Sequence, residues 1–260
     1  MPGLKICNIN AFDIPDAWFQ CLTTVLEHGR ERFIARGSYE TQRRKEFDYV
    51  VVQITNPGNR PLAPIVPEGF PPPANDEATL KYFLEYLATD LKKPNEDYTY
   101  GQRLVNPVAS LLAPENLNLE SKLLMKNINQ IEEIIDIYAN TYKNKGSFNN
   151  NQAIMAIGSP FDLQLKDPPC LRQIDTRIEE YGKGDYALHF FVYFRSWDLI
   201  GGFPTNLGGI QLLKEYMVSA INKKIGVEVK DGEIIADSKG LHIYDHQWDY
   251  AKIRCGKKTD

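Results

Sequence analysis

Apolar positions recur at helical spacing near the start of the chain, where Trp18, Cys21, Leu22 and Val25 predict a helix over roughly Ala17–Phe33. A polar, basic stretch follows (ARGSYETQRRKEF). Val50, Val51, Val52 and Ile54 then form a β-branched run that stops at Asn56-Pro57 and predicts a strand. Residues 56–75 are rich in proline and read as a long surface crossover within one domain, since the first 55 residues are too few to fold alone. Helical spacing returns over Asp76–Leu91, with Asp76 as the expected N-cap before Leu80, Phe83, Leu84 and Leu87. Residues 98–104 (YTYGQRL) read as a turn. Ser121–Tyr142 carries an apolar face of Leu124, Ile128, Ile131, Ile134, Ile135 and Tyr138, the strongest helical pattern in the chain.

Strand patterns dominate after an Asn-rich turn at 149–151. AIMAIG reads as a buried strand ended by DPPC, and further strands are expected over Gln173–Glu179 and Tyr186–Arg195. A helix over Asn206–Ile221 and short strands within IIADSKGLHIYDH complete the outline. Long helices interrupting several strands predict an α+β fold: a single domain, residues 1–260, with a mixed twisted sheet covered by helices.

Composition narrows the function. The chain has 260 residues, 43% hydrophobic and 25% charged, which excludes a disordered protein. A net charge of -4 argues against a protein whose main task is gripping DNA. No apolar run is long enough to cross a bilayer and the N-terminus has no signal-peptide pattern, so a cytoplasmic protein is expected. Cys7, Cys21, Cys170 and Cys255 are scattered, without a C-x-x-C pair, and no third ligand joins Asp245 and His246, so no metal site is expected.

Three clusters could carry chemistry. Cys170 follows two prolines that fix the backbone before it, so its thiol has a set direction; an inert buried cysteine is the alternative. Arg195 and Ser196 pair a cationic fork with a hydroxyl, a phosphate-binding combination, ahead of Asp198, the Gly201-Gly202 turn and Asn206. Asn206 could equally be an N-cap, and Asp198 a surface carboxylate. His242 and Tyr244, two apart on an expected strand, share one face, either of a ligand pocket or of the core.

In this order, DPPC, RS-x-D, G-x-P-x-N and H-x-Y resemble thymidylate synthase, most strongly over residues 127–250, and YTYGQR at 98–103 is similar to that family's tyrosine–arginine segment. The whole chain looks closest to the divergent branch described from methanogens. The resemblance implies that Cys170 adds to C6 of a pyrimidine nucleotide, with Tyr100 beside it. It implies that Arg195 and Ser196 hold the 5′-phosphate, with Gly202 and Asn206 at the base and His242 and Tyr244 at the sugar hydroxyl. Asp198 would contact 5,10-methylenetetrahydrofolate or a related methylene pterin. An amide at Asn206 matches uracil, so dUMP methylation is the leading expectation; pyrimidine nucleotide hydroxymethylation and a non-catalytic nucleotide-binding role are the alternatives. A homodimer packed through sheet faces, using the AIMAIG and HFFVYF strands, is also implied.

The departures are specific. Leu171 replaces a histidine and Gly240 an aspartate. Asn151-Gln152 stand where paired arginines should reach the partner's phosphate, so either Arg36, Arg43 or Arg44 replace them or RRKE is only a solvated basic run. IRCGKKTD does not resemble an apolar C-terminal lid. The general-acid glutamate is expected at Glu77 or Glu85.

Overall fold

The computed structural model describes residues 3–37, 39–66, 71–94, 96–107 and 128–259. Its first element is a strand the apolar pattern does not announce, β1 (Ile6–Ala11). Helix α1 (Ile14–His28) starts at Asp13, whose Oδ1 accepts from Asp16 N at 2.9 Å, and buries Ile14, Ala17, Trp18, Cys21, Leu22 and Val25. It stops five residues earlier than its expected end. Gly29 there passes so close to the Val25 carbonyl that a Cβ would lie 2.4 Å from the oxygen. The chain leaves as β2 (Arg30–Phe33) and returns as β3 (Arg43–Glu46), two strands inside stretches that read as helix end and basic loop. β4 (Tyr49–Ile54) is the expected Val-rich strand.

Asn75, not Asp76, caps α2 (Asp76–Tyr82), accepting from Ala78 N at 2.7 Å; a π-helical turn, Phe83–Leu87, continues it. Residues 100–105 form the short helix α3 (Tyr100–Val105) rather than a turn. The strongest expected helix is α4 (Gln130–Lys145), capped by the Asn129 side chain. It buries Ile131, Ile134, Ile135 and Tyr138, whereas Ile128 precedes it and is 46% exposed. Residues 121–127, with Leu124, lie outside the described residues. β5 (Ile154–Ala156), β6 (Leu171–Gly182), β7 (Asp185–Phe194), β8 (Trp197–Asp198), α5 (Phe203–Ile225), β9 (Val229–Ser238), β10 (Leu241–Tyr244) and α6 (Trp248–Arg254) follow.

The fold is α+β, with two mixed sheets. The larger has the order β1-β4-β9-β7-β6-β5, with β1/β4 and β7/β9 parallel and the other pairs antiparallel. Alternation divides its faces. Val50, Val52, Ile174, Leu188, Phe190, Val192, Phe194, Ile234 and Ala236 are buried in one core with residues of α1, α4 and α5. The other face is polar: Tyr49 bonds Asp237, Gln53 bonds Glu233 at 2.7 Å, and Gln173, Asp175, Arg177 and Tyr193 lie beside them. The AIMAIG and HFFVYF strands therefore turn most of their apolar residues inward.

The smaller sheet, β2-β3-β10-β8, positions the site. The parallel neighbours β7 and β9 both step out of the large sheet, through Arg195-Ser196 and Lys239-Gly240, and pair again as β8 and β10, with Leu241 opposite Trp197 and His242 opposite Asp198. The site lies where one sheet hands over to the other. Among the described residues no helix is long and apolar enough to cross a membrane.

Candidate active site

A cavity of about 390 Å³ opens at this handover, and Cys170, Arg195, Ser196, Asp198, His242 and Tyr244 all line it. Six of the nine expected site residues thus share one space, although they come from segments up to 74 positions apart. Arg36 and Arg44 line it too, from the β2–β3 hairpin, as does Lys166, which the sequence reading missed. Arg43 does not line it; its side chain is 66% exposed and its Nη1 lies 4.0 Å from Glu31. Among the described residues these four cations, Arg36, Arg44, Lys166 and Arg195, outnumber the three carboxylates that line the cavity, Asp162, Asp167 and Asp198.

The thiol is held by its neighbours' backbone bonds. Arg195 N donates to the Cys170 carbonyl at 2.8 Å. The Arg195 guanidinium staples the turn before the cysteine, donating to Pro169 O at 3.1 Å, to Asp167 Oδ1 at 3.1 Å and to Pro168 O. Its Nη1 stays outside these bonds. Burial pushes the Cys170 thiol above its ordinary pKa. The nearby Arg195 charge opposes that most strongly, Asp167 adds to the rise, and Arg172 and Arg44 offset part of it.

Tyr100 does not line the cavity. It is 7% exposed, and its hydroxyl accepts from Leu171 N at 3.3 Å. It therefore touches the peptide that follows Cys170 and not the cavity itself. Tyr100 belongs to an aromatic group with Tyr82, Tyr86 and Tyr98, whose successive rings lie 5.2–6.0 Å apart. Burial raises the pKa of all four hydroxyls, and a charge on Cys170 adds to each rise. Spacing within YFLEY and YTY could have signalled this aromatic group.

His242 is 2% exposed. Its Nδ1 lies 2.8 Å from the Gly240 carbonyl, which can only accept, so Nδ1 carries the proton. Nε2 is then a buried acceptor without a partner among the described residues. Burial pushes the ring's pKa down to about 4, so the ring is neutral near pH 7. Tyr244 packs edge-on to His242, with centroids 4.7 Å apart, and against Tyr39 at 4.2 Å.

Asp198 closes its own turn: Oδ1 accepts from Ile200 N at 2.9 Å and Gly201 N at 3.0 Å. Burial raises its pKa, and those amides, with Gln247 and His246, work against the rise. Asn206 lies behind the cavity wall, in the first turn of α5. Its Oδ1 accepts from the Trp197 indole N–H at 3.0 Å, and Trp197 lines the cavity. An indole nitrogen only donates, so the Asn206 amide is fixed with its oxygen toward Trp197. Gly202 caps α5, and a Cβ there would lie 3.1 Å from the Asp198 carbonyl and 3.2 Å from Asn206 Oδ1. Asn206 is therefore not the N-cap.

The two glutamates expected to supply a proton do not reach the site. Glu77 is exposed on α2, and Glu85 points outward, 3.7 Å from Lys93. Among the described residues no group of three His, Cys, Asp or Glu could hold a metal ion.

The thymidylate synthase family profile matches residues 86–260. A protein named "Putative thymidylate synthase" from Methanosarcina mazei is 31% identical over 244 residues, covering 93% of this chain and 91% of its own length. Proteins of the same name from Methanosarcina acetivorans and Methanococcoides burtonii are each 30% identical over 241 residues with the same coverage. The resemblance carried by DPPC, RS-x-D and H-x-Y thus extends over nearly the whole chain, which belongs to the thymidylate synthase family in its divergent methanogen-type branch.

Proposed function

We propose that the chain methylates dUMP to dTMP through a covalent bond between Cys170 and C6 of the base. The observation that carries this reading is the convergence of a directed thiol, a cluster of phosphate-binding cations and the unpartnered His242 acceptor in one cavity. Arg36, Arg44, Arg195 Nη1 and Ser196 take the 5′-phosphate. His242 Nε2 accepts from the sugar hydroxyl, with Tyr244 beside it. As the sulfur–C6 bond forms, the C5=C6 electron pair moves onto C5 and O4, and C5 becomes the nucleophile for a one-carbon unit. Loss of the C5 proton and release of the Cys170 sulfur restore the base.

The residues present fit a methylene-pterin donor: Asp198 brings a carboxylate to the cavity, and a pterin edge carries N–H groups that need such an acceptor. When bound, that donor supplies the one-carbon unit and the hydride that reduces it to methyl.

The C-terminal segment favours a second reading, hydroxymethylation. Cys255 Sγ lies 3.4 Å from Thr23 Oγ1, Lys257 bonds Glu27 at 2.7 Å, and the Arg254 guanidinium lies 5.3 Å from the Phe19 ring. These contacts hold residues 254–257 on α1, and none of these residues lines the cavity. Water could then end on the transferred carbon in place of hydride.

Incubation with methylene-tetrahydrofolate and dUMP, dCMP or CMP, followed by mass spectrometry, separates the readings. Methylated dUMP is expected. A hydroxymethylated product selects the second reading, and a chain that binds no pyrimidine nucleotide sinks both. The reading also includes a homodimer through the outer face of the large sheet. Light scattering at micromolar concentration is expected to give twice the chain mass; a monomer removes the dimer from the proposal.

A further inference from the structure

The Tyr82 hydroxyl is buried and has no hydrogen-bond partner among the described residues. An orphaned buried donor costs stability, and close behind a cavity it marks the place of an absent acceptor. The fold goes to some length to put it there. Gly208 and Gly209 let α2 pack so closely on α5 that a Cβ on Gly209 would lie 2.4 Å from Tyr82 Cδ1. Gly209 is three residues after Asn206, one helical turn away, so the phenol ring is brought beside the Asn206 amide. The hydroxyl's pKa is raised most by burial, and Asn206 works against that rise, as an amide N–H turned toward a phenol oxygen does.

The orientation follows from the Trp197 bond. With Oδ1 held by the indole N–H, the Asn206 NH₂ is the group left to face Tyr82. An NH₂ donates only, so the phenol oxygen takes the acceptor role toward Asn206 and its proton is offered elsewhere. Trp197, which lines the cavity, thus leads through the Asn206 amide to the Tyr82 phenol behind it, whose O–H is left without an acceptor among the described residues and within electrostatic range of Cys170.

Taking the nucleotide-binding reading above as its basis, we propose that Tyr82 is the residue that selects uracil over cytosine, by donating its hydroxyl proton to the 4-carbonyl of the base. A uracil-type ring places an acceptor at C4 and satisfies the orphaned O–H. A cytosine ring places an NH₂ there, so two donors face each other and the phenol proton stays buried and unpaired. Glu77 and Glu85 cannot supply this selection because both point to solvent.

The test needs no one-carbon donor. Calorimetric titration with dUMP and with dCMP gives a ratio of dissociation constants. Wild-type protein is expected to bind dUMP at least about tenfold more tightly. Tyr82→Phe removes only the hydroxyl; it should weaken dUMP about tenfold, leave dCMP unchanged and bring the ratio near one. Trp197→Phe, which frees the amide to turn, should lower the same ratio and serves if Tyr82→Phe does not fold. An unchanged ratio in a folded Tyr82→Phe, or in Trp197→Phe where that variant must serve, overturns the inference, as does a wild type that prefers dCMP. Either result leaves the nucleotide reading standing. A wild type that binds neither nucleotide overturns the nucleotide reading, and the inference with it.

Discussion

Cys170→Ala should abolish turnover, by about four orders of magnitude or more, while dUMP binding stays within about threefold of wild type. On the proposed reading the thiol supplies the only covalent bond between protein and base, whereas the phosphate and sugar contacts are assigned to Arg36, Arg44, Arg195 and His242. A Cys170→Ala variant that still turns over would sink the covalent mechanism. The same group sets the pH profile. Burial holds the Cys170 pKa above its ordinary value, so near neutrality the thiol form dominates in the free protein. The nucleophile is the thiolate, so kcat/KM should rise with pH through neutrality and level off only above the ordinary thiol range. A profile flat from pH 6 to 9 would place the titrating step elsewhere.

The second large effect is on stability. Asp162 is 3% exposed and joins two arginines: Arg103 Nη2 at 2.8 Å from Oδ1 and Arg172 Nη1 at 2.7 Å from Oδ2. It also accepts from Ser159 N at 2.8 Å, and Arg172 passes on to the Pro169 carbonyl at 3.3 Å, one residue before Cys170. Asp162→Ala would leave Arg103, itself 5% exposed, without its countercharge. The expected loss is about 3–5 kcal/mol, with the unfolding midpoint falling by roughly 10 °C. Burial alone would raise the Asp162 pKa, but the Ser159 amide, Arg103 and Arg172 together hold it below the usual carboxylate value. A depressed folded pKa means the unfolded chain takes up the proton first as pH falls. This contribution is therefore complete above the ordinary carboxylate range and disappears as pH drops through the folded value. The wild-type advantage over Asp162→Ala should shrink on acidification; equal unfolding curves at pH 7 would show the network to be dispensable.

The order of elements was legible because Val50–Ile54, Ile131–Tyr138 and Tyr186–Phe194 carry apolar residues at strand or helix spacing. The small sheet was not. β2 and β3 are RERF and RRKE, whose charges pair with one another and with Asp48 rather than with a core, so no apolar period marks them. β1 was hidden for a related reason, since the short alternation of Asn8 and Asn10 with Cys7, Ile9 and Ala11 buries only Ile9 and Ala11 and leaves Ile6 exposed. The site residues were readable through their order along the chain, which the handover between β7–β8 and β9–β10 turns into a cavity. The proton donor was sought among carboxylates, and helix phase decided against it: Glu85 lies on the outer side of the turn whose inner side carries Tyr82 and Tyr86. Periodicity marks which side of a helix is buried, but not that a buried phenol has lost its partner.

Arg36 and Arg44 enter the cavity from the hairpin of the same chain, where the family resemblance implies arginines lent by a partner. On the proposed reading, a phosphate site built from these arginines takes no cation from a partner subunit. Nucleotide affinity then does not depend on protein concentration, because mass action on the dimer adds nothing to the charge each site already holds. A defect in one copy's arginines, likewise, cannot be complemented by an intact neighbour. On the proposed reading, each chain brings Arg36 and Arg44 to its own cavity.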